Sequence, residues 1–189
     1  MEKEERIAIF KEEIDWISSE DLKNFACQTL SCVPDYFFSV PASSTGKYHP
    51  DYAAGKGGLV RHTKAAMRFA HHLFALEMYQ EEFNQRQQDM ILVALLLHDT
   101  LKHGTNGSKY TTFDHPIQAA HFVFEEPALD GFLSKSDRKV IALLIGSHMG
   151  QWNTSNRSSE VLPKPKSSGQ KFVHMCDYLA SRKGIELQF

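Results

Sequence analysis

The eight residues Met90-Ile91-Leu92-Val93-Ala94-Leu95-Leu96-Leu97 are the longest uninterrupted apolar run in the chain, and they lead directly into His98-Asp99. Read as a helix from about residue 86 to 99, this segment has no face suited to water, so it predicts a buried central rod surrounded by other helices. Eight residues are far fewer than the roughly 20 that span a bilayer, so no membrane role is expected. A carboxylate at the end of so apolar a segment is costly unless it is paired or coordinated. The His98-Asp99 doublet is therefore the first place to look for chemistry.

Nearly every other apolar stretch repeats with helical period. Ile7, Phe10, Ile14 and Ile17 form one stripe of a first helix, and Leu22, Phe25, Ala26 and Leu30 one face of a second, which Pro34 ends. Residues 36 to 58 hold Pro41, Ser43, Ser44, Gly46, Pro50, Gly55, Gly57 and Gly58, which is loop chemistry. A third helix is predicted from about Leu59 to Tyr79 and the central one follows. A fifth begins at Asp114-His115-Pro116, a sixth capped by Ser136 or Asp137 runs until Gly150, and a last one covers Gln170 to Arg182. No alternating strand, repeat or dividing linker interrupts the pattern. The expected architecture is all-α: a single compact helical bundle at 36–189 with an N-terminal helical extension at 1–35 packed on it.

Composition narrows the function. Lys plus Arg is 21 against 23 for Asp plus Glu, a net charge of −2, which excludes a nucleic-acid clamp acting through global charge. The mixed charges of Met1-Glu2-Lys3-Glu4-Glu5-Arg6 do not read as a signal peptide. Cys27, Cys32 and Cys176 form neither a Cys-x-x-Cys nor an even set, so a reducing, cytoplasmic setting is expected. The chain also has 10 histidines. His62 lies near the start of one predicted helix, His115 at the start of another, His148 at the end of a third and Asp177 within a fourth. Packed around the central helix, these side chains and the doublet would meet at one end of the bundle, which is how helical proteins build metal sites.

The ordered segments Gly57-Gly58-Leu59-Val60-Arg61-His62-Thr63, Leu97-His98-Asp99-Thr100-Leu101-Lys102, His115-Pro116, Ser147-His148 and Asp177-Tyr178-Leu179-Ala180 resemble the HD-domain metal-dependent phosphohydrolase superfamily over residues 48–183. The pattern is most similar to HD-domain 3′–5′ exoribonucleases and other binuclear HD phosphodiesterases, although residues 1–35 read as helices and not as an oligonucleotide-binding barrel. The resemblance implies that His62, His98, Asp99 and Asp177 bind a first divalent ion. It implies that His115 and His148 complete a second site with Asp99 as the bridge. One or two ions are expected, drawn from Mn, Fe, Ni, Co, Zn or Mg, because a His/carboxylate set selects weakly among them.

The implied reaction is attack of a metal-bound hydroxide on the phosphorus of a nucleotide or a short nucleic-acid phosphate ester, with a phosphodiester favoured. Lys102, three residues past Asp99, is expected beside the ions, where it would contact phosphate and stabilise developing charge. The loop that contains Lys47 and His49 fails as a P-loop, since Pro41 stands at the first glycine position and Tyr48 at the Ser/Thr position. Lys47 and His49 are still expected to reach substrate, because the loop feeds the helix bearing His62. His174, three residues before Asp177, is expected to support the ligands from behind. The alternative is a regulatory module that binds a nucleotide or a metal through the same fold with little turnover.

Overall fold

The structure is a computed structural model that describes residues 1–46, 49–185 and 187–188. Among them are nine α-helices and no strand, only an isolated bridge between Ser155 and Ser158. The helices are α1 (Lys3–Ile9), α2 (Lys11–Asp15), α3 (Glu20–Cys32), α4 (Gly58–Leu73), α5 (Glu77–Glu82), α6 (Gln85–Leu97), α7 (His115–Glu125), α8 (Lys135–Gly146) and α9 (Ser168–Ala180). Short 3₁₀ turns at Asp35–Phe38, Asp51–Ala53 and Pro127–Leu129 shape the connections. None of these helices is long and apolar enough to cross a membrane.

The apolar run does become the central rod. Every residue of α6 from Asp89 to Leu97 is buried, and the helix packs against α3, α4, α8 and α9. Its start is fixed by a capping box, in which Asn84 accepts from the Gln87 amide and the Gln87 side chain accepts from the Asn84 amide. One turn in, the buried Asp89 carboxylate accepts from the amides of Ser18 and Ser19, the Ser19 hydroxyl and Gln85. That satisfies a buried charge with four donors and locks α6 to the entry of α3. Around this rod α4 packs on α9 and α7 on α8, while α1 and α2 lie against α3 and α4.

Three boundaries differ from the periodicity reading, each for a tertiary reason. The first helix breaks at Phe10, whose φ of −110° and ψ of 18° leave the helical region. The Phe10 ring is thereby buried in a stack on Phe37 at 6.0 Å. The third helix stops at Leu73 and not Tyr79, because Phe74, Tyr79 and Phe83 turn in to form an aromatic cluster with Phe172 of α9. The sixth predicted helix ends at Gly146, and its cap is Ser134, whose hydroxyl accepts from the Asp137 amide.

The long connection before α4 is held closely. Gly57 starts α4 with a φ of +72°, and a Cβ at Gly58 would stand 2.1 Å from the Ala53 carbonyl oxygen. Only a glycine pair lets the connection press this tightly on the helix start. The guanidinium of Arg61 donates to the carbonyls of Tyr52, Ala54 and Lys56, so Arg61 straps this connection and faces away from His62. Tyr52 in turn donates to the Ala180 carbonyl at the end of α9.

Candidate metal centre

Six side chains from five elements converge at one end of α6. His62 projects from the second turn of α4, His98 and Asp99 follow the last turn of α6, and His115 is the first residue of α7. His148 lies in the turn after α8, and Asp177 is in α9. The side chains of His62, His98 and Asp99 are wholly buried, and those of His115 and His148 nearly so. Asp177 keeps 17% of its side chain exposed and Lys102 10%, so the cluster opens to solvent on their side.

Asp99 is the hinge of the arrangement. Its Oδ2 lies 3.6 Å from His62 Nε2 and 3.4 Å from His98 Nε2. Asp177 Oδ1 closes that side, at 2.9 Å from His62 Nε2 and 3.5 Å from His98 Nε2. The other oxygen, Oδ1, faces a different pair: His115 Nε2 at 3.1 Å and His148 Nε2 at 3.6 Å. One carboxylate therefore addresses two separate sets of imidazoles, one through each oxygen.

The protonation pattern follows from the backbone. Nδ1 of His98 is 2.7 Å from the Leu95 carbonyl, Nδ1 of His115 is 2.7 Å from Thr112, and Nδ1 of His148 is 2.8 Å from Ile145. A carbonyl only accepts, so each Nδ1 carries a hydrogen and each ring turns its Nε2 inward, where it presents a lone pair whenever the ring is neutral. The lone pairs of His115 and His148 then face each other at 3.3 Å, and that of His115 faces the Asp99 carboxylate. His98 Nε2 and Asp99 Oδ1 are buried without a hydrogen-bond partner. Acceptors directed at acceptors in a buried space are repulsive until a cation stands among them. The triads His62–His98–Asp177 and His98–Asp99–His148 each hold their ligand atoms within 4.8 Å of one another. The donor set, imidazole nitrogen with carboxylate oxygen, suits a first-row divalent ion, and the residues fit one.

Electrostatics point the same way. Burial works against charging His98, but Asp99 and Asp177 outweigh it and raise its pKa to about 10. Burial also works against ionising the two aspartates. Even so, Lys102 and His98 hold Asp99 well below the usual carboxylate range, and the hydrogen bond from His62 together with the nearby His98 does the same for Asp177. Burial, reinforced by His98, lowers His148 to about 3. The cluster keeps its carboxylates ionised and draws positive charge.

Lys102 reaches the cluster as its spacing predicts, with Nζ donating to Asp99 Oδ2. It does so from a run of turns after α6, not from a continuing helix. The His49 ring meets His62 edge to face at 4.8 Å, and burial with the nearby His62 and Lys102 depresses its pKa to about 2. Lys47 lies outside the described residues. His174 supports a different ligand from the one its spacing indicates: its Nδ1 is 2.7 Å from the carbonyl of His148, and not beside Asp177.

The sequence reading passed over the carbonyls of Leu95, Thr112 and Ile145, which orient three of the histidines. Their signal was available, since each lies three residues before its histidine at a helix end. Tyr36, whose hydroxyl donates to the Gly104 carbonyl, was missed too, as was the Ser44–Thr111 contact that ties the two loops flanking the cluster. Those contacts join positions 67 or 68 apart and leave no local trace.

The HD domain family model matches residues 59–182, a span that contains all six converging side chains and Lys102. Neither a curated protein nor a solved structure matches the chain. HD domains are in general metal-dependent phosphohydrolases, and here a helical bundle brings a His-Asp doublet, further histidines and a late aspartate to one buried point. The chain belongs to the HD domain family.

Proposed function

We infer that the protein is a metal-dependent phosphohydrolase acting on a nucleotide or on a short nucleic-acid phosphate ester, with a phosphodiester favoured. The observation that carries this reading is the two-sided environment of Asp99. His62, His98, Asp177 and Asp99 Oδ2 would hold one divalent ion, and His115, His148 and Asp99 Oδ1 a second. Ions bound there would supply Lewis acidity toward phosphate oxygens and acidify a coordinated water.

The chain's own groups prepare the site for that chemistry. Backbone carbonyls fix three imidazole rings before any ligand arrives, so little reorganisation is required. Lys102 and His98 keep Asp99 ionised against its burial. Lys102, already on Asp99, puts an ammonium group where a phosphate oxygen would approach, and Asp177 forms the open edge through which an ester enters. We assign His49, which packs against His62, and Lys47 to substrate contacts. A phosphodiester suits two ions because both the attacking and the leaving oxygen then have a cation beside them. We assign residues 1–35 to a helical extension and 36–189 to the phosphohydrolase domain. The three cysteines are free, which fits a cytoplasmic setting.

Purified protein should carry one or two divalent ions per chain by elemental analysis. With Mn²⁺ added it should turn over a chromogenic phosphodiester. Asp99→Ala should lower turnover by more than about a hundredfold, because loss of a supporting contact alone costs 10- to 100-fold at such sites. Metal-free protein that is inert with every added divalent ion would refute this reading.

A further inference from the structure

Beside the open edge of the cluster stands an aromatic group that the metal site does not use. Trp152 is 43% exposed and Tyr178 is 37% exposed, yet their rings stack in parallel at 5.6 Å with 12° between planes. The Arg182 guanidinium lies 4.2 Å from the Tyr178 ring centre and is anchored on the Ser181 hydroxyl. Held in this stack, Trp152 presents a flat apolar surface to solvent, the shape that a planar ligand can cover.

The rigidity is built. Gly150, with a φ of +60°, passes so close to His174 that any Cβ would overlap its ring. The chain then turns over α9, with the Trp152 amide donating to the Met149 carbonyl. Asn153 closes the far side by pairing twice with Leu162, through the Leu162 amide to its carbonyl and through its side chain to the Leu162 carbonyl. The Trp152 ring also meets His174 at 5.9 Å. His174 therefore links this ring to the backbone of His148, whose carbonyl it binds, and Tyr178 directly follows Asp177.

We propose that Trp152, backed by Tyr178 and Arg182, is a stacking platform for the base of a nucleotide whose phosphate sits at Asp99 and Lys102. The proposal rests on the phosphohydrolase reading above and adds the side chains that would hold the base of such a substrate. Aromatic faces accept any base, so the platform confers preference for nucleotides over sugar phosphates without selecting one base.

The test separates the base from the phosphate. In a Trp16→Phe background Trp152 is the sole tryptophan, and its emission reports on the platform directly. Adenosine 5′-monophosphate should quench it, and ribose 5-phosphate should not. Trp152→Ala should weaken binding of the nucleotide by about tenfold or more while changing ribose 5-phosphate affinity less than about twofold, and Trp152→Phe should restore most of the loss. Equal weakening of both ligands would mean that the stack only staples the loop and would overturn the proposal, as would nucleotide binding that is unchanged in Trp152→Ala or absent from the parent. These readouts need no turnover. A parent protein with no base preference but with metal content and hydrolysis intact refutes the platform alone, and inert protein refutes the hydrolase reading.

Discussion

At Gly150 two independent constraints meet. Its φ of +60° is a conformation that L side chains rarely adopt, and a Cβ there would stand 2.1–2.4 Å from three atoms of the His174 ring. Gly150→Ala should therefore destabilise the fold by about 2–4 kcal/mol, adding left-handed strain to overpacking, and a thermal melt against the parent will read it. The same turn holds the His148 carbonyl on His174, so a shift there also disturbs a candidate metal ligand. At this scale the sequence is a good guide to which side chains meet and a poor one to what holds them. His62, His98, Asp99, His115, His148 and Asp177 are legible because each sits where a helix begins, ends or turns inward. Gly150 reads only as a helix stop, since its need to be glycine comes from a ring 24 positions away.

Between elements, a single buried arginine adds a polar tie to the packed pair α7 and α8. Arg138 of α8 is fully buried, and its guanidinium donates to the Val123 carbonyl at 2.9 Å, the Glu126 carbonyl at 3.1 Å and the Asp130 carboxylate at 2.6 Å. It thus satisfies the Val123 carbonyl in the last turn of α7 and adds a second donor to the Glu126 carbonyl, which also accepts from the Leu129 amide. Arg138→Met keeps the length and apolar stem of the side chain but removes the guanidinium donor from the Val123 carbonyl and the partner of the Asp130 carboxylate. Chemical denaturation should show a loss of about 2–4 kcal/mol. Because α7 and α8 carry His115 and His148, the variant should also bind its divalent ions less tightly. Helix existence and order are legible in the period of the apolar residues, and α6 is the clearest case because its run has no polar face at all. The break at Phe10 and the stop at Leu73 are not, since neither site has a proline or glycine. Both are imposed by rings that find partners far along the chain, Phe37 for Phe10 and Phe172 for Phe74.

For the molecule as a whole, the buried cluster couples folding to pH in both directions. His49 and His148 have folded pKa values of about 2 and about 3 against an ordinary 6.5. Below pH 6.5 the unfolded chain takes up protons that the folded one refuses, so their contribution is complete above that pH and is lost as pH falls toward those values. His98 behaves oppositely. Its pKa is raised to about 10, so its contribution is complete below 6.5 and disappears as pH rises to about 10. Asp99 and Asp177, held below 3.8, add a further loss only in stronger acid. Each unit of displacement corresponds to ~1.4 kcal/mol between protonation states, enough to show in a melting curve. Chelator-treated protein should therefore melt highest close to pH 6.5 and lower on both sides, measured by circular dichroism from roughly pH 4 to 10. Added Mn²⁺ should flatten the alkaline fall, because coordination removes the proton that His98 would otherwise lose. It should steepen the acid fall, because protons then compete with the ion for the same imidazoles and carboxylates. An alkaline limb that is flat after chelation, or unchanged by Mn²⁺, would mean that His98 is not poised between the carboxylates of Asp99 and Asp177 as the structure has it.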